Sequence, residues 1–124
     1  MKHWISIAVA GMALGAAVQA SQVGLIKIDG AIGPATANYV SRAINVAAAQ
    51  GDECLIIQLA TPGGLAISMD NITEKFYASQ VPIVVYVTPE GAMAASAGCY
   101  ITLAADVAVM APHTTIGAAH PVEL

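Results

Sequence analysis

Short apolar runs alternate along this chain with stretches in which apolar residues recur at helical spacing. The runs predict four strands, which span residues 23–28, 54–59, 81–87 and 106–110. The run at 54–59 is continuously apolar, which is typical of a parallel strand covered on both faces. We therefore expect the strands to lie inside a layered domain rather than at a solvated surface.

Three helices are predicted between these strands. Gly33 and Pro34 open the first helix and Gly51 ends it, because proline is well tolerated in a first turn and glycine favours a helix end. The second helix carries an apolar stripe that includes Met69 and Phe76, and the small residues at 92–104 predict the third. This alternation of strands and helices favours an α/β domain with a parallel sheet.

The N-terminus has the three-part layout of a secretory signal peptide. A short positive start is followed by an apolar run of about 13 residues, which is too short to span a bilayer comfortably. Small residues then precede a cleavage site after Ala20. We expect residues 1–20 to be a signal peptide and residues 21–124 to be the folded domain, with an uncleaved anchor or a buried N-terminal helix as the alternatives. The protein is then exported to the periplasm or another extracytoplasmic compartment.

Composition and charge exclude several classes of protein. Apolar residues make up 57% of the chain and charged residues 10%. Disordered proteins have the opposite composition, with few apolar and many charged residues. The net charge is −4 and the basic residues are scattered, so no nucleic-acid partner is expected. So large an apolar fraction predicts that further chain or another subunit covers part of the surface.

The chain has two cysteines, Cys54 and Cys99. Both lie in apolar segments, which favours buried thiols, although export would permit a disulfide between them. Two cysteines with no adjacent histidine pair predict no zinc site. We therefore expect no metal.

Two glycine-containing loops, at residues 61–64 and 91–98, follow the second and third predicted strands. Ligands gather at the carboxyl ends of parallel strands, so both loops are candidate site elements. The second loop places the hydroxyl of Ser96 among residues with almost no side chain, which lets a substrate carbonyl approach a nucleophile. The alternatives are that Ser96 is a small residue in a tightly packed helix and that 61–64 is an ordinary turn.

Backbone N–H groups near Ser96 predict an oxyanion-binding site. Gly63 and Gly64 expose their N–H groups without side-chain obstruction, and the N–H of Ala97 directly follows the serine. An N–H from each loop would together hold the negative oxygen of a tetrahedral intermediate. The two loops therefore predict acyl-transfer chemistry.

Taken together and in this order, these segments resemble the N-terminal domain of NfeD-type membrane-bound serine proteases of the ClpP class. The resemblance runs from about residue 23 to residue 122 and rests on Thr-Pro-Gly-Gly, Val-Pro-Ile-Val-Val-Tyr-Val, Gly-Ala-Met-Ala-Ala-Ser-Ala-Gly and Met-Ala-Pro-His-Thr-Thr-Ile-Gly-Ala-Ala-His-Pro. It implies a ClpP/crotonase-type fold of repeated β-α units with a parallel sheet, incomplete at the C-terminus.

The resemblance also implies a serine endopeptidase with a Ser-Lys dyad that cleaves protein or peptide substrates in membrane-associated or hydrophobic segments. Ser96 matches the family's nucleophile, and Gly63, Gly64 and Ala97 match its oxyanion hole. The family's lysine would lie beyond Leu124, so residues 21–124 alone are expected to be inactive. The resemblance implies no cofactor, and it implies self-association into a homo-oligomer and a stomatin-like membrane partner.

Other bases for Ser96 are less favoured. Lys27 and Lys75 offer neither the burial nor the cationic neighbour that a neutral lysine needs. A Ser96–His113–Asp106 triad follows the chain order of α/β-hydrolases. However, the serine is not expected on a direct strand-to-helix turn, and Asp106 opens a strand at the wrong end of the sheet.

Three alternative functions stay open. A crotonase-like acyl-CoA enzyme would use the same oxyanion hole without a serine nucleophile, although export argues against a cytoplasmic substrate. A non-catalytic module would bind a membrane partner through the same surface. An inert fragment of a longer protein is the third.

Overall fold

The computed structural model describes residues 20–120 of the chain. The strands are β1 (Gly24–Asp29), β2 (Leu55–Ala60), β3 (Ile83–Val87), β4 (Met93–Ala95), β5 (Val107–Met110) and β6 (Thr115–Gly117), and the helices are α1 (Pro34–Gln50), α2 (Ala66–Tyr77) and α3 (Ala97–Ala104). Apart from Ala20, the predicted signal peptide lies outside these residues, and its cleavage stays a prediction.

The main sheet has the strand order β1-β2-β3-β5, and all of its neighbours pair in parallel. Because each crossover steps in the same direction and such crossovers are right-handed, the helices lie on one face of the sheet. The helices α1, α2 and α3 accordingly contact one another in chain order. The predicted α/β domain with a parallel sheet is confirmed.

The limits of α1 follow from local sequence. The helix begins at Pro34, whose missing N–H is not needed in a first turn. It ends at Gly51, which adopts the left-handed conformation at φ 70° and donates its N–H to the carbonyls of Ala47 and Ala48. Both predicted ends are confirmed.

The core lies between the helices and the near face of the sheet. Leu55, Ile57 and Leu59 on β2 point into it and are buried. On the opposite face of the same strand, Ile56 is only half-buried, and Leu25 beside it on β1 is exposed. Within residues 20–120 the sheet is therefore covered on one face, and the expectation that β2 is covered on both is met only on the helix side.

The predicted helix at 92–104 is wrong in its first part. Met93–Ala95 forms the strand β4, which pairs in parallel with β6 and bridges to Thr61. Only Ala97–Ala104 is helical. Alanine favours helices, but this weak local preference is overridden by pairing with two distant segments. The strand β6, for which no element was predicted, forms for the same reason.

The first turn of α3 packs directly on the chain at the end of β2. A methyl group added to Gly98 would overlap the Cγ2 atom of Thr61. Glycine at this position therefore lets α3 approach the segment that follows β2.

We expect Gly98→Ala to destabilise the protein by about 1 kcal/mol. Alanine is favoured over glycine in a helix by about 1 kcal/mol, but overpacking against Thr61 costs about 1–3 kcal/mol. Thermal denaturation followed by circular dichroism measures the effect. In a Thr61→Ser background, which removes Cγ2, the same substitution should destabilise less. Additive effects of the two substitutions would contradict the proposed contact.

Candidate active site

Ser96 lies on a sharp turn between β4 and α3. Its backbone has φ 54° and ψ −118°, a conformation that residues with a side chain rarely adopt. A strained serine between a strand and a helix is the arrangement that exposes a nucleophilic hydroxyl in α/β-hydrolases. The expectation that Ser96 is not on a direct strand-to-helix turn is therefore wrong, because β4 was not predicted.

Backbone hydrogen bonds hold this turn on both sides. The N–H of Ser96 donates to the carbonyl of Gly117 on β6 at 2.8 Å, and the N–H of Cys99 donates to the carbonyl of Ser96 at 2.9 Å. Within residues 20–120, the Ser96 side chain neither caps α3 nor makes another side-chain hydrogen bond. The side chain is half-buried, so its hydroxyl is accessible while its backbone is fixed.

The turn that follows β2 lies against Ser96. A methyl group on Gly63 would come within 2.7 Å of the Ser96 Cβ and 3.2 Å of its Oγ. Gly63 also has φ 114°, which a residue with a side chain rarely adopts. Glycine is therefore required there on two counts, and its small size leaves room for the serine.

Gly64 is positioned by Ile32, which lies just after β1. The N–H of Ile32 donates to the Gly63 carbonyl at 2.8 Å, and the N–H of Leu65 donates to the Ile32 carbonyl at 2.9 Å. In a parallel bridge these bonds go to the residues that flank Gly64, so its own N–H points away from Ile32. Ile32 follows β1, and β1 and β3 pair with opposite edges of β2. The Gly64 N–H therefore points toward the β3 edge of β2, which is the side on which β4 lies.

Two N–H groups near Ser96 are available to a ligand. Ala97 is the first residue of α3, and its N–H has no acceptor within the helix. Among the hydrogen bonds of residues 20–120, none uses the N–H of Gly64 or of Ala97. The Gly63 N–H instead donates to the hydroxyl of Thr61 at 3.0 Å. One unpaired N–H belongs to the residue after the serine, and the other belongs to the residue after the glycine that the serine contacts. A hydroxyl with two such N–H groups nearby can attack a carbonyl whose oxygen they would bind.

An apolar groove of about 330 Å³ lies over the paired strands β4 and β6, next to Ser96. It is lined by Met93, Ala95, Thr115, Ile116, Gly117 and Ala118. Gly117 in this lining is the residue that accepts the Ser96 N–H. A substrate chain in the groove would therefore lie next to the serine.

Asp106 is at the opposite end of the sheet from Ser96. Its carboxylate accepts the N–H of Ile83 at 2.7 Å, and Ile83 pairs with Leu55 at the start of β2. Ser96 lies instead beside the turn that follows Ala60, about 16 Å further along a strand that rises ~3.3 Å per residue. The Ser-His-Asp alternative is therefore not assembled.

The other candidate bases, one histidine and two lysines, are all exposed side chains. His113 is exposed and lies 3.6 Å from the carboxylate of Glu90. Lys27 is exposed and lies 3.7 Å from Asp29, and Lys75 is exposed on α2. Neither lysine has the burial that a lysine base requires. The described residues therefore do not present a lysine suited to activate Ser96.

The cysteines are free thiols. Cys54 and Cys99 form no disulfide, and each is partly rather than fully buried. Between residues 20 and 120 no group of three or more histidine, cysteine or acidic side chains could hold a metal ion.

Sequence reasoning missed two residues that shape this site. Thr61 was interpreted only as the first residue of the loop at 61–64, with no role for its side chain, and Ile32 was not considered. A buried hydroxyl two residues before a glycine is a signal for a local side-chain-to-backbone bond. The role of Ile32 depends on tertiary pairing and has no local signal.

Comparison with known proteins assigns the chain to a family. A sequence profile of the NfeD1b N-terminal domain matches residues 22–124. The chain belongs to this family. Membrane-bound protease PH1510 of Pyrococcus horikoshii is 44% identical over 96 residues, which cover 77% of this chain and 22% of that protein. Membrane protein NfeD1b of Bacillus subtilis is 32% identical over 109 residues, which cover 88% of this chain and 24% of that protein.

Solved structures agree with this assignment. A serine-to-alanine variant of 1510-N, a membrane-bound stomatin-specific protease, matches with a TM-score of 0.82 and 40% identity, over 85% of this chain and 51% of that one. A lysine-to-alanine variant of 1510-N in complex with a substrate peptide matches with a TM-score of 0.80 and 42% sequence identity. The match covers 82% of this chain and 47% of that one. ClpP1 from Listeria monocytogenes matches with a TM-score of 0.66 and 25% sequence identity. The match covers 73% of this chain and 52% of that one.

The NfeD1b-type chain spans less than a quarter of the two curated relatives and about half of the solved chains. The described residues therefore correspond to part of the domain present in the 1510-N and ClpP1 structures. The predicted ClpP-type fold, partial at its C-terminus relative to those chains, is confirmed.

The strained backbone at Ser96 should affect the free energy of unfolding when the residue is replaced. An L-residue in such a conformation costs about 1–3 kcal/mol, whereas glycine costs about 0.5–1 kcal/mol in backbone entropy. We therefore expect Ser96→Gly to be about 1 kcal/mol more stable to unfolding than Ser96→Ala. Urea denaturation of the two variants measures the difference.

Ser41, within α1, provides the matched control. There the order should reverse, and Ser41→Gly should be about 1 kcal/mol less stable than Ser41→Ala because the position is helical. The same order at both serines would show that the Ser96 backbone is not strained in solution.

Proposed function

We propose that this domain carries the nucleophile of a serine endopeptidase of the membrane-bound ClpP class, with Ser96 as the attacking residue. One observation supports this above the others. Ser96 is half-buried and contacts Gly63, and the residues that follow these two, Ala97 and Gly64, both have unpaired backbone N–H groups. Gly63 shapes the turn but donates its N–H to Thr61, so Gly64 and Ala97 are the proposed oxyanion donors.

In the proposed mechanism the Ser96 Oγ attacks the carbonyl carbon of the scissile peptide bond and gives its proton to a neutral lysine amine. The lysine is contributed by part of the protein outside the described residues. The N–H groups of Gly64 and Ala97 stabilise the tetrahedral oxyanion. Collapse breaks the C–N bond, the leaving amine takes the proton, and water then hydrolyses the acyl-enzyme. The serine and lysine variants of 1510-N support this assignment.

The substrates we propose are hydrophobic segments of membrane-associated proteins. Met93 and Ile116 line the groove beside the serine, and Leu65 and Ile67, just after the Gly64 donor, are exposed. Such surfaces bind apolar side chains by removing them from water. A relative is named a stomatin-specific protease, so a stomatin-like protein is the proposed partner.

We further propose that the protein is exported, associates with a membrane and self-associates. Its relatives are named membrane-bound or membrane proteins. No helix within residues 20–120 is long and apolar enough to cross a bilayer. The segment that anchors the protein is therefore proposed to lie elsewhere in the full-length protein.

Substitution of Ser96 tests the proposed nucleophile. In the full-length protein, a fluorophosphonate probe should label Ser96, and Ser96→Ala should lose the label. Hydrolysis of an apolar peptide should fall about 1,000-fold or more, because the nucleophile is lost. Ser41→Ala, on α1, should retain both the label and the activity.

Two results would support the rival functions. A folded full-length protein that is not labelled at Ser96 would favour an enzyme that uses the glycine-rich site without a serine nucleophile. No peptide hydrolysis by either the native protein or Ser96→Ala would favour a non-catalytic binding module, and equal hydrolysis by both would show that Ser96 is not the nucleophile.

Substitution of Ile116 tests the proposed preference for apolar substrates. Burying an isoleucine side chain contributes about 1.5–3 kcal/mol, so Ile116→Ser should raise KM for an apolar peptide by about tenfold or more. Labelling by a small fluorophosphonate, which does not fill the groove, should change little. Val46→Ser, an exposed apolar position on α1, should leave KM unchanged. An unchanged KM for Ile116→Ser would show that the groove does not bind the apolar side chains of the substrate.

A further inference from the structure

We infer that Thr61 is a positioning residue that sets the distance between the two oxyanion donors. The inference rests on the proposed function of Ser96, Gly64 and Ala97. Thr61 is 2% exposed and follows the last residue of β2. It does not line the groove beside Ser96, so we expect any effect on catalysis to act through its neighbours.

The hydroxyl of Thr61 holds the turn that carries the first donor. Its Oγ1 accepts the N–H of Gly63 at 3.0 Å and lies 3.3 Å from the Gly63 carbonyl oxygen, to which it donates. These bonds fix Gly63 at φ 114°, and the following residue is Gly64. Without the hydroxyl, the buried N–H of Gly63 loses its partner, and the turn is free to rotate and misdirect the Gly64 N–H.

The methyl group of Thr61 holds the helix that carries the second donor. Its Cγ2 occupies the space into which a side chain on Gly98 would project. Gly98 directly follows Ala97 in the first turn of α3. The methyl group therefore sets how closely the Ala97 N–H approaches the segment that follows β2.

The backbone of Thr61 fixes the strand that leads to the nucleophile. Its N–H donates to the Met93 carbonyl at 2.8 Å, and its carbonyl accepts the Ala95 N–H at 3.0 Å. One residue thus contacts the Gly64 turn, the start of α3 and the strand before Ser96. We assign the larger effect on the donors to the hydroxyl, because its loss leaves the buried N–H of Gly63 unpaired, whereas loss of the methyl group removes only a packing contact with α3.

This role predicts a loss in kcat rather than in KM. The oxyanion exists only in the transition state and the tetrahedral intermediate, so displaced donors weaken transition-state binding and leave substrate binding unchanged. Thr61→Val keeps the shape and removes the hydroxyl, and Thr61→Ser restores the hydroxyl. Thr102→Val is the matched control, because Thr102 is also buried and its hydroxyl donates to the Gly98 carbonyl at 2.7 Å.

The experiment measures kcat and KM for an apolar peptide with the full-length protein, per site titrated by a fluorophosphonate probe. For Thr61→Val we expect kcat to fall about 10- to 100-fold with KM within about threefold, since small misplacements of catalytic donors have effects of this size. Thr61→Ser should keep kcat within about threefold and Thr102→Val within about twofold of the native value. If Thr61→Val does not fold, Thr61→Ala makes the same test with a smaller side chain.

The outcomes separate this inference from the proposed function. A native protein that is not labelled at Ser96 would overturn both. A native protein that is labelled and active, with kcat unchanged in folded Thr61→Val or Thr61→Ala, would overturn the role of Thr61 alone. Equal losses of kcat in Thr61→Ser and Thr61→Val, or in Thr102→Val, would show a structural effect and would also overturn it.

Discussion

Backbone segments approach one another closely at Gly63, Gly64 and Gly98, and the site depends on this contact. A single methyl group at these positions would collide with Ser96, with the Ile32 backbone or with the Thr61 side chain, respectively. Close-packed interiors tolerate no such overlap without a shift of the backbone. The absence of three side chains is what brings the end of β2, the end of β4 and the start of α3 together.

The strain at Ser96 is maintained by this surrounding structure. An unfavourable backbone conformation persists only where neighbouring contacts over-determine it. Here β4 is held on one side by Thr61 and on the other by β6, and the first turn of α3 follows at once. For the proposed nucleophile and donors, such rigidity would lower the reorganisation needed when negative charge develops on a substrate oxygen. The same packing contacts therefore maintain the unfavourable backbone conformation of Ser96 and hold the surrounding groups in fixed positions.

Much of this architecture is predictable from local patterns, but its most important details are not. Continuous apolar runs indicate β2 and β3, and Pro34 and Gly51 indicate the ends of α1, because these signals act over a few residues. The strands β4 and β6 are short and consist of small residues, so only their long-range pairing stabilises them. The choice between Gly63 and Gly64 as donor likewise depends on Ile32, which is distant in sequence. The lysine base is expected from resemblance alone, since none of the described residues has its setting.

The hydrogen bond from the Ser96 N–H to Gly117 makes the nucleophile part of the edge formed by β6. The following chain is itself tied to α3, because the hydroxyl of Tyr100 donates to the Ala119 carbonyl at 2.7 Å. A ligand or subunit that tilts β6 would therefore turn the serine backbone directly, without any intermediate side chain. The orientation of the proposed nucleophile is thus mechanically coupled to one short strand through a single backbone hydrogen bond.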